Sequence, residues 1–204
     1  MSDTLEVTEL RPGADENDPR IRAAARHAKE FLRLLGVDDE PGLRGSPVRM
    51  ARAYAELLTP TPFAATTFAN DEDFHGLVVV RDLPVVSVCE HHLLPFFGVA
   101  HLGYLPGDRL LGLSKFARLV DQLSRRPQVQ ERLTGQVARW LEDNLAPWGV
   151  GVVIEAEHTC MTLRGIRAGG SRTRTTAFSG VLADDPDARA DFLAGLPRAG
   201  GELR

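Results

Sequence analysis

Cysteine and lysine are both scarce in this chain, with two of each in 204 residues. Two cysteines, Cys89 and Cys160, cannot build a disulfide framework; they fit a reducing compartment or a metal site. Lysine is confined to Lys29 and Lys115, so arginine carries almost all of the positive charge. That charge is outweighed: the formal net charge is −4, which argues against a nucleic-acid binder that works by positive charge. No stretch approaches the roughly 18 apolar residues that span a membrane. The N-terminal MSDTLEVTELRPGADENDP has no apolar signal region, so a cytoplasmic protein is expected, with no membrane partner. Internal repeats, low-complexity arrays and a Gly-rich dinucleotide fingerprint after a strand are also missing.

What is present is a cluster of metal-seeking side chains. Cys89-Glu90-His91-His92 is followed much later by His158-Thr159-Cys160. Cys89, His92 and Cys160 make a candidate zinc set of two thiolates and one imidazole. Structural zinc sites generally use four protein ligands, whereas catalytic sites use three and keep a position open. The remaining histidines, His91 and His158, suit acid/base work beside such a site. Read one at a time, buried cysteines are usually inert apolar residues and a His pair is usually surface decoration. The second cluster strengthens the metal reading. In an extended segment His158 and Cys160 fall on one face. The gap back to Cys89 excludes a short zinc-finger loop, so the fold must bring the ligands together.

The chain reads as four segments. Residues 1–17 are polar and expected to be disordered. Residues 18–62 form a helical region: Ile21, Ala25, Ala28, Leu32 and Leu35 recur at helical spacing, and Ser46-Pro47 reads as the cap and first turn of a second helix. Residues 63–182 are expected to open with a loop to about 75. Strands follow at Leu77–Val80, Val85–Cys89 and Val99–Tyr104, separated by Asp82-Leu83-Pro84 and by Pro95-Phe96-Phe97-Gly98. A helix capped by Ser114, a second helix starting at Pro127, and strands Val150–Glu157 and Thr173–Val181 complete this part. Residues 183–204 are a tail with a short helix at Asp187–Leu193. Strands, two helices and strands in that order indicate an α+β fold with a mostly antiparallel sheet and the helices on one face.

CEHHLLPFFG, GLSKFARLVD, RRPQVQERLTGQ, VVIEAEHTCMTLRG and GSRTRT, in this order between about Ser46 and Val181, resemble GTP cyclohydrolase I. The resemblance implies a tunnelling fold in the 63–182 domain: a four-stranded antiparallel sheet backed by two helices. It also implies pentameric β-barrels stacked as a homodecamer open to allosteric control, with active sites between subunits. The implied reaction converts GTP and water to 7,8-dihydroneopterin triphosphate and formate, the first step of pterin and tetrahydrofolate biosynthesis and so of one-carbon metabolism. Zn2+ is the implied cofactor, on Cys89, His92 and Cys160. His91 and His158 match the proton-transfer positions. Glu131 matches the guanine anchor, and Gln130 beside it is assigned to substrate as well. Ser114, Lys115, Arg118 and Arg164 match triphosphate contacts, and Arg49 and Arg52 match basic positions that a neighbouring subunit supplies. Arg52 stands where some members have lysine, and Phe63–Gly76 is the least family-like segment, so His75 reads as a loop histidine. A silent relative would have lost a ligand or a proton-transfer histidine. A deazapurine nitrile reductase would use a cysteine nucleophile and a nicotinamide. The downstream pathway and the metal beyond a divalent ion suited to Cys2His stay open.

Overall fold

The computed structural model describes residues 15–37 and 40–197. The stretch expected to be disordered lies outside these, apart from residues 15–17, and so does the end of the tail beyond 197. The chain divides into two compact units, Met1–Thr61 and Pro62–Arg204.

In the first unit, helix α1 (Pro19–Leu34) starts where Asp18 accepts a hydrogen bond from the Arg20 backbone N–H and Pro19 takes the first turn. The Arg20 side chain beside Asp18 holds its carboxyl at about 2. Ile21 and Ala25, one turn apart, pack against Ala51, Val48 and Ala55 of helix α2 (Ser46–Leu58). Gly45, not Ser46, occupies the α2 cap position, and the Ser46 hydroxyl accepts instead from Arg49 Nη2 at 3.0 Å.

The second unit is built on a five-stranded sheet. In chain order the strands are β1 (Thr67–Ala69), β2 (Val78–Cys89), β3 (Pro95–Leu105), β4 (Arg109–Leu111), β5 (Pro127–Gln128), β6 (Gly149–His158) and β7 (Thr173–Gly180). The large sheet runs β5-β2-β3-β6-β7, antiparallel throughout except for the two-residue parallel pairing of β5 with β2. Strands β1 and β4 pair separately, β1 lying inside the segment to about 75 that the sequence presents as a loop. Two longer strands replace three expected ones. Asp82-Leu83-Pro84 is not a turn but an irregularity within β2, with Asp82 at φ +58°. Pro84 is tolerated because β2 is nearly an edge strand, with only β5 beyond it. Pro95–Gly98 likewise belongs to β3, paired with β2 throughout and with β6 from Phe96 onward.

Helices α3 (Leu113–Ser124) and α4 (Gln130–Leu145) cover one face. Phe116, Leu119 and Val120 of α3, and Leu133, Val137 and Leu141 of α4, are fully buried against Phe96, Ala100, Leu102, Val152 and Ile154. Their three- and four-residue spacing is the apolar stripe of an amphipathic helix. Both helix starts differ from the sequence expectation. Gly112 precedes α3 with no side-chain cap, so Ser114 lies inside the helix. Pro127 belongs to β5, and α4 begins at Gln130.

The opposite face has its own small core. Val153 of β6 packs there with Leu182 of α6 (Val181–Asp184), Phe192 of α7 (Pro186–Ala194) and Leu196 just beyond α7. Phe192 sits over Gly103 and Gly151, where added Cβ atoms would meet its ring at 2.6 and 3.0 Å. Strand β6 is therefore buried on both sides, which matches its unbroken run of small and β-branched residues. A one-turn helix α5 (Thr159–Thr162) follows β6 directly.

Gly98 lies where β3 and β6 come closest: a Cβ there would stand 1.9 Å from the Glu155 carbonyl oxygen and 2.6 Å from Ala156 Cα. Both obstacles are backbone and cannot swing aside. Gly98→Ala is expected to cost about 3 kcal/mol or more, at or above the top of the usual overpacking range. Chemical denaturation checks this; an unchanged midpoint would mean that the two strands separate freely.

Candidate metal centre and active site

Cys89 ends β2, and a tight turn carries the chain to β3. The Leu93 N–H donates to the Cys89 carbonyl and the Cys89 N–H to the Leu94 carbonyl, both at 2.8 Å. Leu93 adopts φ +53° to close this turn, an uncommon conformation for a residue with a Cβ. The turn sets both imidazoles near the thiol: Cys89 Sγ lies 3.8 Å from His91 Nδ1 and 3.9 Å from His92 Nδ1. Cys160 arrives from the far end of β6. It lies on helical turn α5 rather than in an extended segment, so the same-face argument made from strand alternation does not apply to it. Thr159 pins this turn, its hydroxyl donating to the Pro95 carbonyl at 2.6 Å.

The ligand atoms of Cys89, His92 and Cys160 all lie within 4.8 Å of one another. That spacing suits one ion bonded at about 2.0–2.3 Å to each. Electrostatics set a cost that a bound cation would have to offset. Burial pushes the Cys160 thiol above its ordinary value, and Cys89 raises it further through charge and a hydrogen bond, against a smaller pull from Arg164. Two thiols held this close resist joint ionisation, and a divalent cation removes that resistance. These three residues can therefore hold a metal.

His158 stands beside this cluster but is held elsewhere. Its ring stacks on Phe96, with centroids 4.6 Å apart and planes 13° from parallel. Its Nε2 lies 2.8 Å from Gln130 Oε1. Burial pushes its pKa below the ordinary histidine value, and the Glu131 charge opposes this. Glu131 itself is exposed in the first turn of α4, where the helix dipole favours a carboxylate. Its neighbour Arg132 donates to Glu90 Oε2 at 2.7 Å, tying α4 to the metal turn. The Glu90 N–H also donates to the Gln128 carbonyl at 3.0 Å.

The remaining site candidates are more dispersed. Ser114 and Arg118 are exposed and Lys115 half-buried on the first turns of α3. Arg164 is exposed just after α5. Arg49 and Arg52 are exposed on α2, in the other unit. His75 pairs with Asp73 at 3.1 Å, both exposed. Gln130 differs most from its sequence assignment: it is only 1% exposed, with its amide bonded inside the protein. Sequence reasoning passed over Phe96, Arg132 and Glu90. Adjacent residues on a helix point about 100° apart, and here Gln130 faces inward while Glu131 is exposed.

The sequence profile of the GTP cyclohydrolase I family matches residues 24–196. GTP cyclohydrolase 1 of Rhodopirellula baltica is 48% identical over 186 residues, covering 88% of this chain and 79% of that protein. The enzyme of the same name from Caldanaerobacter subterraneus is 48% identical over 181 residues, covering 86% and 94%. Among solved structures, the apo form of an archaeosine synthase QueF-like protein aligns with a TM-score of 0.44 at 20% identity, over 51% of this chain and 93% of that one.

Elemental analysis of the purified protein is expected to find one metal ion per chain, and Cys160→Ser to lose it while keeping the fold, since the change replaces one sulfur of a half-buried side chain at the margin of the core. Retention of a full equivalent in that variant would remove Cys160 from the ligand set.

Proposed function

The chain belongs to the GTP cyclohydrolase I family and is a GTP cyclohydrolase; we propose that it opens the purine of GTP with a zinc ion on Cys89, His92 and Cys160, yielding 7,8-dihydroneopterin triphosphate and formate. The observation that carries this reading is the convergence of those three ligand atoms within 4.8 Å, next to a histidine that is not needed to hold the ion.

When bound, zinc supplies a Lewis acid and makes water at the site a nucleophile near neutral pH. The protein's own groups do the rest. His158 and His91 move protons at the imidazole portion of the purine, at N7 as C8 is attacked and again as the ring opens. Imidazole suits this because it gains and loses protons near working pH. Glu131 accepts hydrogen bonds from guanine N1–H and the 2-amino group, a pair that adenine cannot offer. Ser114, Lys115, Arg118 and Arg164 hold the triphosphate; arginine can grip phosphate through two parallel bonds.

Assembly belongs to the same proposal. Among the described residues, strand β7 has a free long edge, and β2 is covered only at Val88 and Cys89 by β5. Edge strands of this length are normally paired or blocked. Joining β2 of one copy to β7 of the next is a heterologous contact that closes into a ring. We propose pentameric rings stacked as a decamer, with Arg49 and Arg52 of a neighbour completing each phosphate site. Location in the cytoplasm and entry of the product into pterin and folate synthesis complete the reading; two free thiols fit a reducing compartment.

His158→Ala is expected to keep its metal and lose turnover of GTP by about 100-fold or more, the range for a lost acid/base group. If the metal left with it, His158 would be a ligand. Glu131→Gln should weaken GTP binding by about 1–3 kcal/mol, because an amide cannot accept both hydrogen bonds; equal affinity in a direct binding assay would return Glu131 to the surface. Mixing inactive Cys160→Ser and Arg52→Ala subunits should restore part of the activity, since some shared sites then receive one intact copy of each residue. No regain after reassembly, checked by light scattering, would defeat the shared-site proposal.

A further inference from the structure

The hydrogen bonds around Gln130 can be assigned a direction by counting protons. Its side-chain nitrogen lies 3.1 Å from the Ile154 carbonyl oxygen and 3.0 Å from that of Thr173. Carbonyls only accept, so the nitrogen must face them and Oε1 must face away. Oε1 is the atom 2.8 Å from His158 Nε2. An amide oxygen has no proton to give. Nε2 must therefore donate, and carry a hydrogen in either charge state of the ring.

The neighbouring hydroxyls lock the amide in this orientation. Thr134 Oγ1 donates to the Gln130 carbonyl at 2.8 Å, which uses its single proton. In the 2.6 Å contact between Thr134 and Thr175, Thr175 is then the donor. With its proton so committed, Thr175 Oγ1 meets Gln130 Nε2 at 3.1 Å only as an acceptor. Three acceptors thus surround the amide nitrogen. Flipping the amide would set its oxygen against two carbonyls and a spent hydroxyl, all in a buried site. Stacking on Phe96 holds the imidazole plane meanwhile. Among the described residues, His158 Nδ1 has no hydrogen-bond partner.

We propose that Gln130 is a positioning residue: it fixes the tautomer of His158, so that Nδ1 is the atom through which His158 takes and returns protons. This rests on the reading of His158 as a proton-transfer group. It moves Gln130 from the substrate to the support of a catalytic side chain. Thr134 supports the amide from α4 itself, Thr175 from β7, and Phe96 of β3 holds the ring plane, so the orientation of one imidazole depends on residues from three elements.

The direct test reads the tautomer. In the metal-loaded resting enzyme with ¹⁵N-labelled histidine, the signals lost in His158→Gln identify those of His158. A protonated Nε2 with a bare Nδ1 is expected; a protonated Nδ1 with a bare Nε2 overturns the proposal. Kinetics give a second reading. Gln130→Met keeps length but neither donates nor accepts. It is expected to keep its metal and change KM for GTP by less than about threefold while kcat falls by about 10- to 100-fold, the range for groups that orient an active side chain. A raised KM with unchanged kcat would make Gln130 a substrate contact and sink the proposal. Thr175→Val, which leaves Gln130 in place, should lower kcat in the same direction by less. The tautomer is measured without turnover. Absence of GTP turnover in the wild type would overturn the enzymatic reading and leave the tautomer result standing.

Discussion

The register of β3 between its two neighbours is the constraint on which the site depends. On one side Val88 pairs with Pro95, and on the other Phe96 pairs with His158. Those two pairings bring the end of β2 and the end of β6 to the same edge of the sheet. Cys89 and Cys160 are remote in sequence and meet only because of them. A slip of one residue on either side would turn every side chain of the shifted strand to the other face. It would also remove Phe96 from beneath the His158 ring. The close approach at Gly98, two residues along, guards this register: no other residue type lets β3 and β6 lie so near.

Burial acts on the site in two directions at once. It raises the Cys160 thiol and lowers the His158 imidazole, so each is biased toward its neutral form. Neutral imidazole serves as a base, but a neutral thiol is a poor ligand. The same dry surroundings therefore favour one function and oppose the other. A divalent cation held there would resolve the conflict locally, since it would stabilise thiolates without charging the histidine. Glu131 raises the His158 value and Arg164 lowers that of Cys160, each partly offsetting the effect of burial.

The grouping of Cys89, His92 and Cys160 was legible in the sequence because cysteine and histidine clustered in a chain so poor in cysteine have few other uses. The helices over 113–124 and 130–145 were legible from their apolar spacing. The errors fell where a local signal competes with a tertiary one. Asp82-Leu83-Pro84 has turn composition, yet pairing with β3 on one side and near-freedom on the other keep it within a strand. Proline at 127 suggests a helix start, but two residues of β5 intervene to tether the Glu90 turn. Cys160 follows a strong strand pattern, and nothing in His158-Thr159-Cys160 signals that the chain coils at once. The burial of Gln130 was illegible for a related reason: only the three-dimensional arrangement of carbonyls around it discloses where its amide is bonded.

The small core on the second face carries an implication for how such sequences can vary. Phe192 rests on Gly103 and Gly151, one from each of two adjacent strands that pair at that point. Neither glycine can gain a methyl group while the ring stays where it is, and neither is excused by backbone conformation, since both lie in regular strand. The three positions therefore behave as one unit of variation. A chain that carries alanine at 103 is expected to carry a smaller or differently shaped side chain at 192. Substitutions that look severe singly become tolerable in pairs, so tolerance at these positions is a property of the triplet.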